Sequence, residues 1–168
     1  MQYKVVLEAV GATAFTAWLI RYLILNRRMD QVVSGVEQLH TSAMERLHGT
    51  VPPCGIPQPP ETVPEDVACE EISGFRFACF VDKTTEGKYV HHIIGMHSGK
   101  EAGRLSEAML LIMRRLVKHF TTCGFEYDVM LHVDVLPSGS QHIDFALHPE
   151  RETALRAALG LSTETPPG

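Results

Sequence analysis

A chain of 168 residues has room for one domain with appendages. Its apolar fraction of 45% is that of an ordinary globular protein, which argues against disorder and against a polytopic membrane protein. The formal net charge of -5 excludes general nucleic-acid affinity, because a phosphate-tracking protein carries a basic stripe. The nearest basic cluster, Arg114, Arg115 and Lys118, falls near the end of an expected helix, where cations complement the dipole. Cys54, Cys69, Cys79 and Cys123 contain no C-x-x-C pair, so neither a zinc finger nor a dense disulfide scaffold is indicated. Cys79 and Cys123 read as buried thiols.

Residues 5–25 (VVLEAVGATAFTAWLIRYLIL) are apolar apart from Glu8 and Arg21. As a helix they span about 31 Å, the thickness of a hydrocarbon core. Lys4, Glu8, Arg21 and Arg27 do not gather on one helical face, which disfavours a surface amphipathic helix. The absence of small residues after the apolar run disfavours a cleaved signal. Residues 1–28 are therefore expected to form a membrane-anchoring helix. Arg21, Arg27 and Arg28 outweigh Lys4 and the α-amine, placing the folded part on the cytoplasmic or matrix side of a bacterial plasma membrane or mitochondrial inner membrane.

Residues 29–49 continue helically, with Val32, Val36, Leu39, Ala43 and Leu47 at spacings of three and four and Gly49 as a stop. They are read as a stalk, a coiled-coil seam or a helix folded back on the domain. Residues 50–69 form a linker, in which 51–64 contain six prolines and must be extended or turning. The folded domain is expected over 70–160. Residues 75–82 alternate, with Phe75, Phe77, Cys79 and Val81 on one face, and 88–96 return across a turn containing Gly87. A loop of four or five residues leaves open whether His91 or His92 faces inward, since a slip of one exchanges them. Ser98 and Glu101 match a capping box. The following helix carries Leu105, Met109, Ile112, Leu116 and Phe120, ends at Gly124, and bears extra apolar residues in Leu110, Met113 and Val117. That surplus is expected to bury the 29–48 helix or to bind a protein partner or a second copy.

Residues 125–136 alternate, with Phe125, Tyr127, Val129, Leu131, Val133 and Val135 on one side and Glu126, Asp128, His132 and Asp134 on the other. After Pro137-Ser138-Gly139 the chain returns as 140–148, adding Ile143, Phe145 and Leu147 to the apolar side and His142, Asp144 and His148 to the polar one. A three-residue loop with Gly in the left-handed position sets Leu136 opposite Ser140. Asp134 then faces His142, His132 faces Asp144, Asp128 faces His148, Val133 faces Ile143 and Leu131 faces Phe145. His132, Asp134, His142 and Asp144 are thus the candidate metal ligands, imidazole and carboxylate being ordinary donors for zinc-class ions. Read blandly they are ion pairs on a solvated sheet face. Pro149 opens a last helix that stops at Gly160, and 161–168 form a flexible tail.

The fold class is α+β: a transmembrane helix followed by two antiparallel hairpins around a central helix, ββαββα. This order of elements, from residue 29 onward, loosely resembles roadblock or profilin-like modules. A membrane helix followed by two hairpins is also somewhat similar to a type of mitochondrial inner-membrane assembly protein. Both likenesses lie in element order, and neither implies site residues. The chain has no nucleophile elbow, H-E-x-x-H run or glycine-rich phosphate loop. The sequence is accordingly read as a membrane-anchored, non-enzymatic binding or scaffolding module without a cofactor. The alternative is a metal-dependent hydrolase using the His/Asp face of the last hairpin.

Overall fold

A computed structural model describes residues 2–53, 63–97, 102–125 and 127–163, with side chains from Thr16 onward. It is a mixed α+β structure. The element order is α1 (Gln2–Met44), β1 (Gly49–Val51), β2 (Cys69–Ile72), β3 (Phe75–Thr84), β4 (Tyr89–Met96), α2 (Ala102–Cys123), β5 (Leu131–Val135), β6 (Gln141–Leu147) and α3 (Pro149–Ala158). The expected ββαββα order is therefore incomplete. A long helix and two further strands, β1 and β2, precede β3. The main path of the sheet is β1-β3-β4-β6-β5, with β2 also pairing β3. β1 runs parallel to β3, and every other pairing is antiparallel.

The expectation of a membrane span is corrected. Residues 5–15 of that stretch lie outside the described side chains. Among the described residues no helix is long and apolar enough to cross a membrane. Within the described part of the stretch, Arg21 interrupts the apolar residues Ala17–Leu25. α1 instead runs unbroken into the folded domain. Arg28, counted from sequence as a flanking charge, donates Nε and Nη2 hydrogen bonds to the Ser73 carbonyl at 2.9 and 2.6 Å and lies over the Phe75 ring. From Met29 onward α1 is a core element, burying Met29, Val32, Val33, Val36 and Met44.

Two hairpins fix the sheet. Thr84 donates to the Lys88 carbonyl across a loop closed by Gly87 at φ +89°, and Leu136 donates to the Ser140 carbonyl across a loop closed by Gly139 at φ +80°. Both are three-residue loops with the left-handed position that glycine fills without strain. The second sets the expected register: Leu131 opposite Phe145, His132 opposite Asp144, Val133 opposite Ile143 and Asp134 opposite His142. The expected Asp128–His148 pairing does not form. β5 begins only at Leu131, and Asp128 sits in a turn where its carboxylate accepts from Arg151 at 2.6 Å.

One face of the sheet packs on α1, α2 and α3. Leu105, Met109, Ile112, Leu116 and Phe120 supply the α2 stripe, as the periodicity predicts, while Leu110 and Val117 stay exposed. A Cβ placed at Gly95 on β4 would lie 2.9 Å from both Leu105 Cδ1 and Met109 Sδ, so the absent side chain sets how closely helix and sheet approach. The expected capping box at Ser98 and Glu101 lies outside the described residues. The opposite face is also covered: Phe80, Ile94 and Leu136 form a smaller apolar cluster against Val63, Val67 and Met96. The end of the proline-rich stretch therefore packs on this face.

Candidate metal centre

The second face carries a transverse row across four strands. Phe80 on β3 pairs with His92 on β4, His92 with Asp144 on β6, and Asp144 with His132 on β5. The neighbouring row places Ile94 beside His142 and His142 beside Asp134. Alternation brings these side chains to one face because residues two apart along a strand point the same way. The uncertainty between His91 and His92 resolves in an unforeseen manner. β4 is buried on both faces, so His91 enters the helix-covered core while His92 enters the second face.

His92 stacks between two rings, Phe80 at 4.5 Å and His142 at 5.2 Å between centroids. Its Nδ1 lies 3.0 Å from His142 Nε2, so one imidazole donates and the other accepts. Its Nε2 lies 3.6 Å from Asp82 Oδ2. Asp144 takes a 2.9 Å hydrogen bond from His132 Nδ1 on Oδ1, while its Oδ2 lies 3.7 Å from His142 Nδ1. Those last two atoms are buried, and neither has a hydrogen-bond partner. At the β1 side, His48 uses Nδ1 toward Asp82 and Nε2 toward Asp66, each at 3.0 Å. The result is a polar strip, Asp66–His48–Asp82–His92–His142–Asp144–His132, running from an exposed acid through a sealed centre.

The solvated face anticipated from sequence is corrected here. His142 and Asp144 have no exposed surface, and His92 keeps only 5%. Burial drives the imidazole of His92 down to about 3, reinforced by the neighbouring His142, and that of His142 down to about 4 against the opposing pull of Asp134. Both rings are therefore neutral near pH 7, the state in which imidazole coordinates metal. Burial raises the Asp144 carboxyl, with the hydrogen bond from His132 opposing it. Burial also works to lower His48, but its hydrogen bonds to Asp66 and Asp82 outweigh that and leave it raised.

Of the four sequence candidates, the structure brings His132, His142 and Asp144 together. Asp134 faces His142 in register but is exposed, and among the described residues it makes no hydrogen bond or ion pair. The group whose potential ligand atoms all lie within 4.8 Å of one another is His92, His142 and Asp144. His92 was therefore missed as a ligand candidate, and Asp82 and His48 were missed as its supports. The signal for His92 was the run His91-His92 inside an otherwise apolar strand, where one histidine must enter each face.

A second buried polar chain lies in the helix-covered core. His40 Nε2 is 2.9 Å from His91 Nδ1, and His91 Nε2 is 2.7 Å from Glu152 Oε2. Arg156 lies 3.7 Å from the other Glu152 oxygen and donates to the Met44 carbonyl. Burial, then the neighbouring His91 and His119, hold His40 well below the ordinary histidine range. This chain joins α1, β4 and α3. Comparisons with protein-family models, with curated proteins and with solved structures found no match.

Proposed function

We propose that the chain is a non-enzymatic module that binds one divalent transition-metal ion through His92, His142 and Asp144. The observation that carries this reading is the pair His142 Nδ1 and Asp144 Oδ2, sealed from solvent, facing each other at 3.7 Å and, among the described residues, without a hydrogen bond. An unpaired buried polar atom costs about 1–3 kcal/mol, and two adjacent ones invite a cation. Two nitrogens and one oxygen make a zinc-class donor set. A tetrahedral ion with bonds of about 2.0–2.1 Å wants donors about 3.3 Å apart, which small side-chain rotations can reach. His132 would act on Asp144, and Asp82 on His92, as the outer groups that orient metal ligands. Three protein ligands leave the fourth position of the tetrahedron open, but burial denies a substrate access to it, which supports a structural ion tying β4 to β6 over a hydrolytic one.

Equilibrium dialysis of the purified full chain against zinc, followed by elemental analysis, tests the reading. Near-stoichiometric zinc is expected, with loss in His142→Gln and in Asp144→Asn. Cobalt substitution should give the visible bands of a tetrahedral site. Absence of retained metal at micromolar free zinc overturns the proposal.

A second reading has its own observation. Trp18, Leu19, Ile20, Tyr22, Leu23 and Ile24 are all 38–62% exposed, over about two thirds of the circumference of α1 before it meets the sheet. Such exposure supports the scaffolding role expected from sequence, with this stretch embedded in the apolar surface of a membrane or of a membrane-protein complex. Full-length protein should float with lipid vesicles, and Leu19→Glu with Leu23→Glu should abolish this. Flotation unchanged by those substitutions counts against the role.

A further inference from the structure

We propose that β5 is a dimerisation edge at which two copies of this chain join their sheets about a two-fold axis through Val133. β5 is the end strand of the sheet, and among the described residues nothing pairs with its outer edge. Leu131–Val135 contains no lysine, proline or bulge, three devices that blunt an edge strand. The helix layer also stops short of it. Val133 is 51% exposed and Val135 72%, although both point to the face where Ile143 is fully buried. Met130, just before the strand, is 71% exposed.

The occupant follows from the sequence of the strand itself. Leu131-His132-Val133-Asp134-Val135 is self-complementary when read in the antiparallel sense. Centring on Val133 sets Leu131 opposite the partner's Val135, Val133 opposite the partner's Val133, and His132 opposite the partner's Asp134. Each apolar residue meets an apolar one, and each imidazole meets a carboxylate, twice per dimer by symmetry.

The hydrogen-bond phase agrees. Leu136 donates to the directly opposite Ser140 carbonyl. Alternation along an antiparallel ladder then turns the backbone groups of residues 136, 134 and 132 toward β6 and those of 135, 133 and 131 outward. Val133 can therefore exchange two backbone hydrogen bonds with the partner's Val133. His132 and the partner's Asp134 become a non-hydrogen-bonded pair, whose side chains lie closer. His132 donates Nδ1–H to Asp144, and as the doubly protonated imidazolium it also donates Nε2–H to that carboxylate. A shift of one residue would set His132 opposite an apolar side chain, so charge and backbone phase select the same register. The dimer would explain why Asp134, which makes no hydrogen bond or ion pair among the described residues, stands beside the histidine strip. This inference does not depend on metal binding.

Sedimentation velocity of the full chain at micromolar concentration is the primary test. A reversible dimer of the 18.7 kDa chain is expected. Val133→Pro removes only an outward N–H, which costs the isolated subunit no ladder bond, and should give a folded monomer by circular dichroism. Asp134→Lys should weaken the dimer roughly tenfold or more, and Asp134→Glu should restore it. Hydrogen exchange on the wild type gives a readout independent of variant folding. The amides of Leu131, Val133 and Val135 should gain protection as concentration rises, together with dimer mass. A wild-type monomer, a Val133→Pro dimer, or outward amides that exchange freely in the dimer would each overturn the proposal.

Discussion

His91 Nε2 and Glu152 Oε2 lie 2.7 Å apart with no exposed surface on the histidine and 2% on the glutamate, inside a core otherwise lined by phenylalanines and aliphatic side chains. The network assigns the proton. Glu152 accepts from His91 Nε2–H, leaving His91 Nδ1 to accept from His40 Nε2–H. Arg156 balances the carboxylate charge. Breaking a buried pair by removing one partner costs about 3–5 kcal/mol, because the other partner stays stranded. Glu152→Ala should therefore destabilise the fold by about that amount. Glu152→Gln should cost less, because its amide oxygen still accepts from His91. Chemical denaturation of the two variants checks the order. Equal losses would mean that the side chain acts through its packing volume.

Acid should unfold the protein early. His40, His92 and His142 are all held below the ordinary histidine value, chiefly by burial, with His92 near 3 and His142 near 4. The unfolded chain binds protons on these groups near pH 6.5 while the folded chain does not. Their contribution is thus fully present above about pH 6.5 and is lost as pH falls toward 4, at up to about 1.4 kcal/mol per pH unit for each group. Asp144 and His48, both raised, oppose this slope over their own ranges. Urea titrations from pH 7.5 to about 4.5, with chelator present, should show falling stability. His142→Gln should flatten the slope, and an unchanged slope would assign the acid response elsewhere.

Phe145 and Gly95 test the packing from opposite directions. Phe145 is fully buried, stacks on His91 with ring centroids 4.6 Å apart, and meets Phe120 edge-on at 5.1 Å. Phe145→Ala should cost about 3–5 kcal/mol through the cavity it leaves. Gly95→Ala puts a methyl group 2.9 Å from two α2 side chains and 3.1 Å from Phe77, so it should cost about 1–3 kcal/mol by overpacking. Denaturation midpoints of the two variants measure both. A neutral Gly95→Ala would show that α2 can lift away from β4 freely.

The last hairpin was legible because two independent signals agreed. Pro137-Ser138-Gly139 fixed the loop, and the alternation on both strands accepted only one register. The α2 stripe was legible for the same reason, periodicity and the Gly124 stop marking one helix. The covering of the second face was not. It depends on Val63 and Val67, remote in sequence from Ile94 and Leu136, and a polar alternation reads the same whether the face is wet or sealed. β2 escaped because Cys69-Glu70-Glu71-Ile72 has no apolar alternation. Its signal was the Ser73-Gly74 turn, where both residues take positive φ as a two-residue hairpin loop requires. The apolar start of α1 suggested a separate anchor because hydropathy cannot show that Arg28 and Met29 already belong to the domain.

His132 and His142 should separate a supporting role from a ligand role. His132 is partly exposed and touches the strip only through Asp144 Oδ1, at 2.9 Å. His142 is sealed and presents an unpaired nitrogen toward Asp144 Oδ2. Sequence alone, taking both as exposed ion pairs, would assign His132→Ala at most about 1 kcal/mol. The burial of Asp144 changes that expectation, since losing its donor strands a carboxylate oxygen away from water at a cost of about 1–3 kcal/mol. If the cluster holds an ion, His132→Ala should still bind zinc, about 10–100-fold more weakly, because it loses only a group that orients Asp144. His142→Gln should bind none. Zinc at a hundred times its dissociation constant should stabilise the wild type by about 2.7 kcal/mol and should leave His142→Gln unaffected. Thermal unfolding of the three proteins with and without zinc reads both effects. Equal zinc stabilisation in His142→Gln and the wild type would remove His142 from the ligand set.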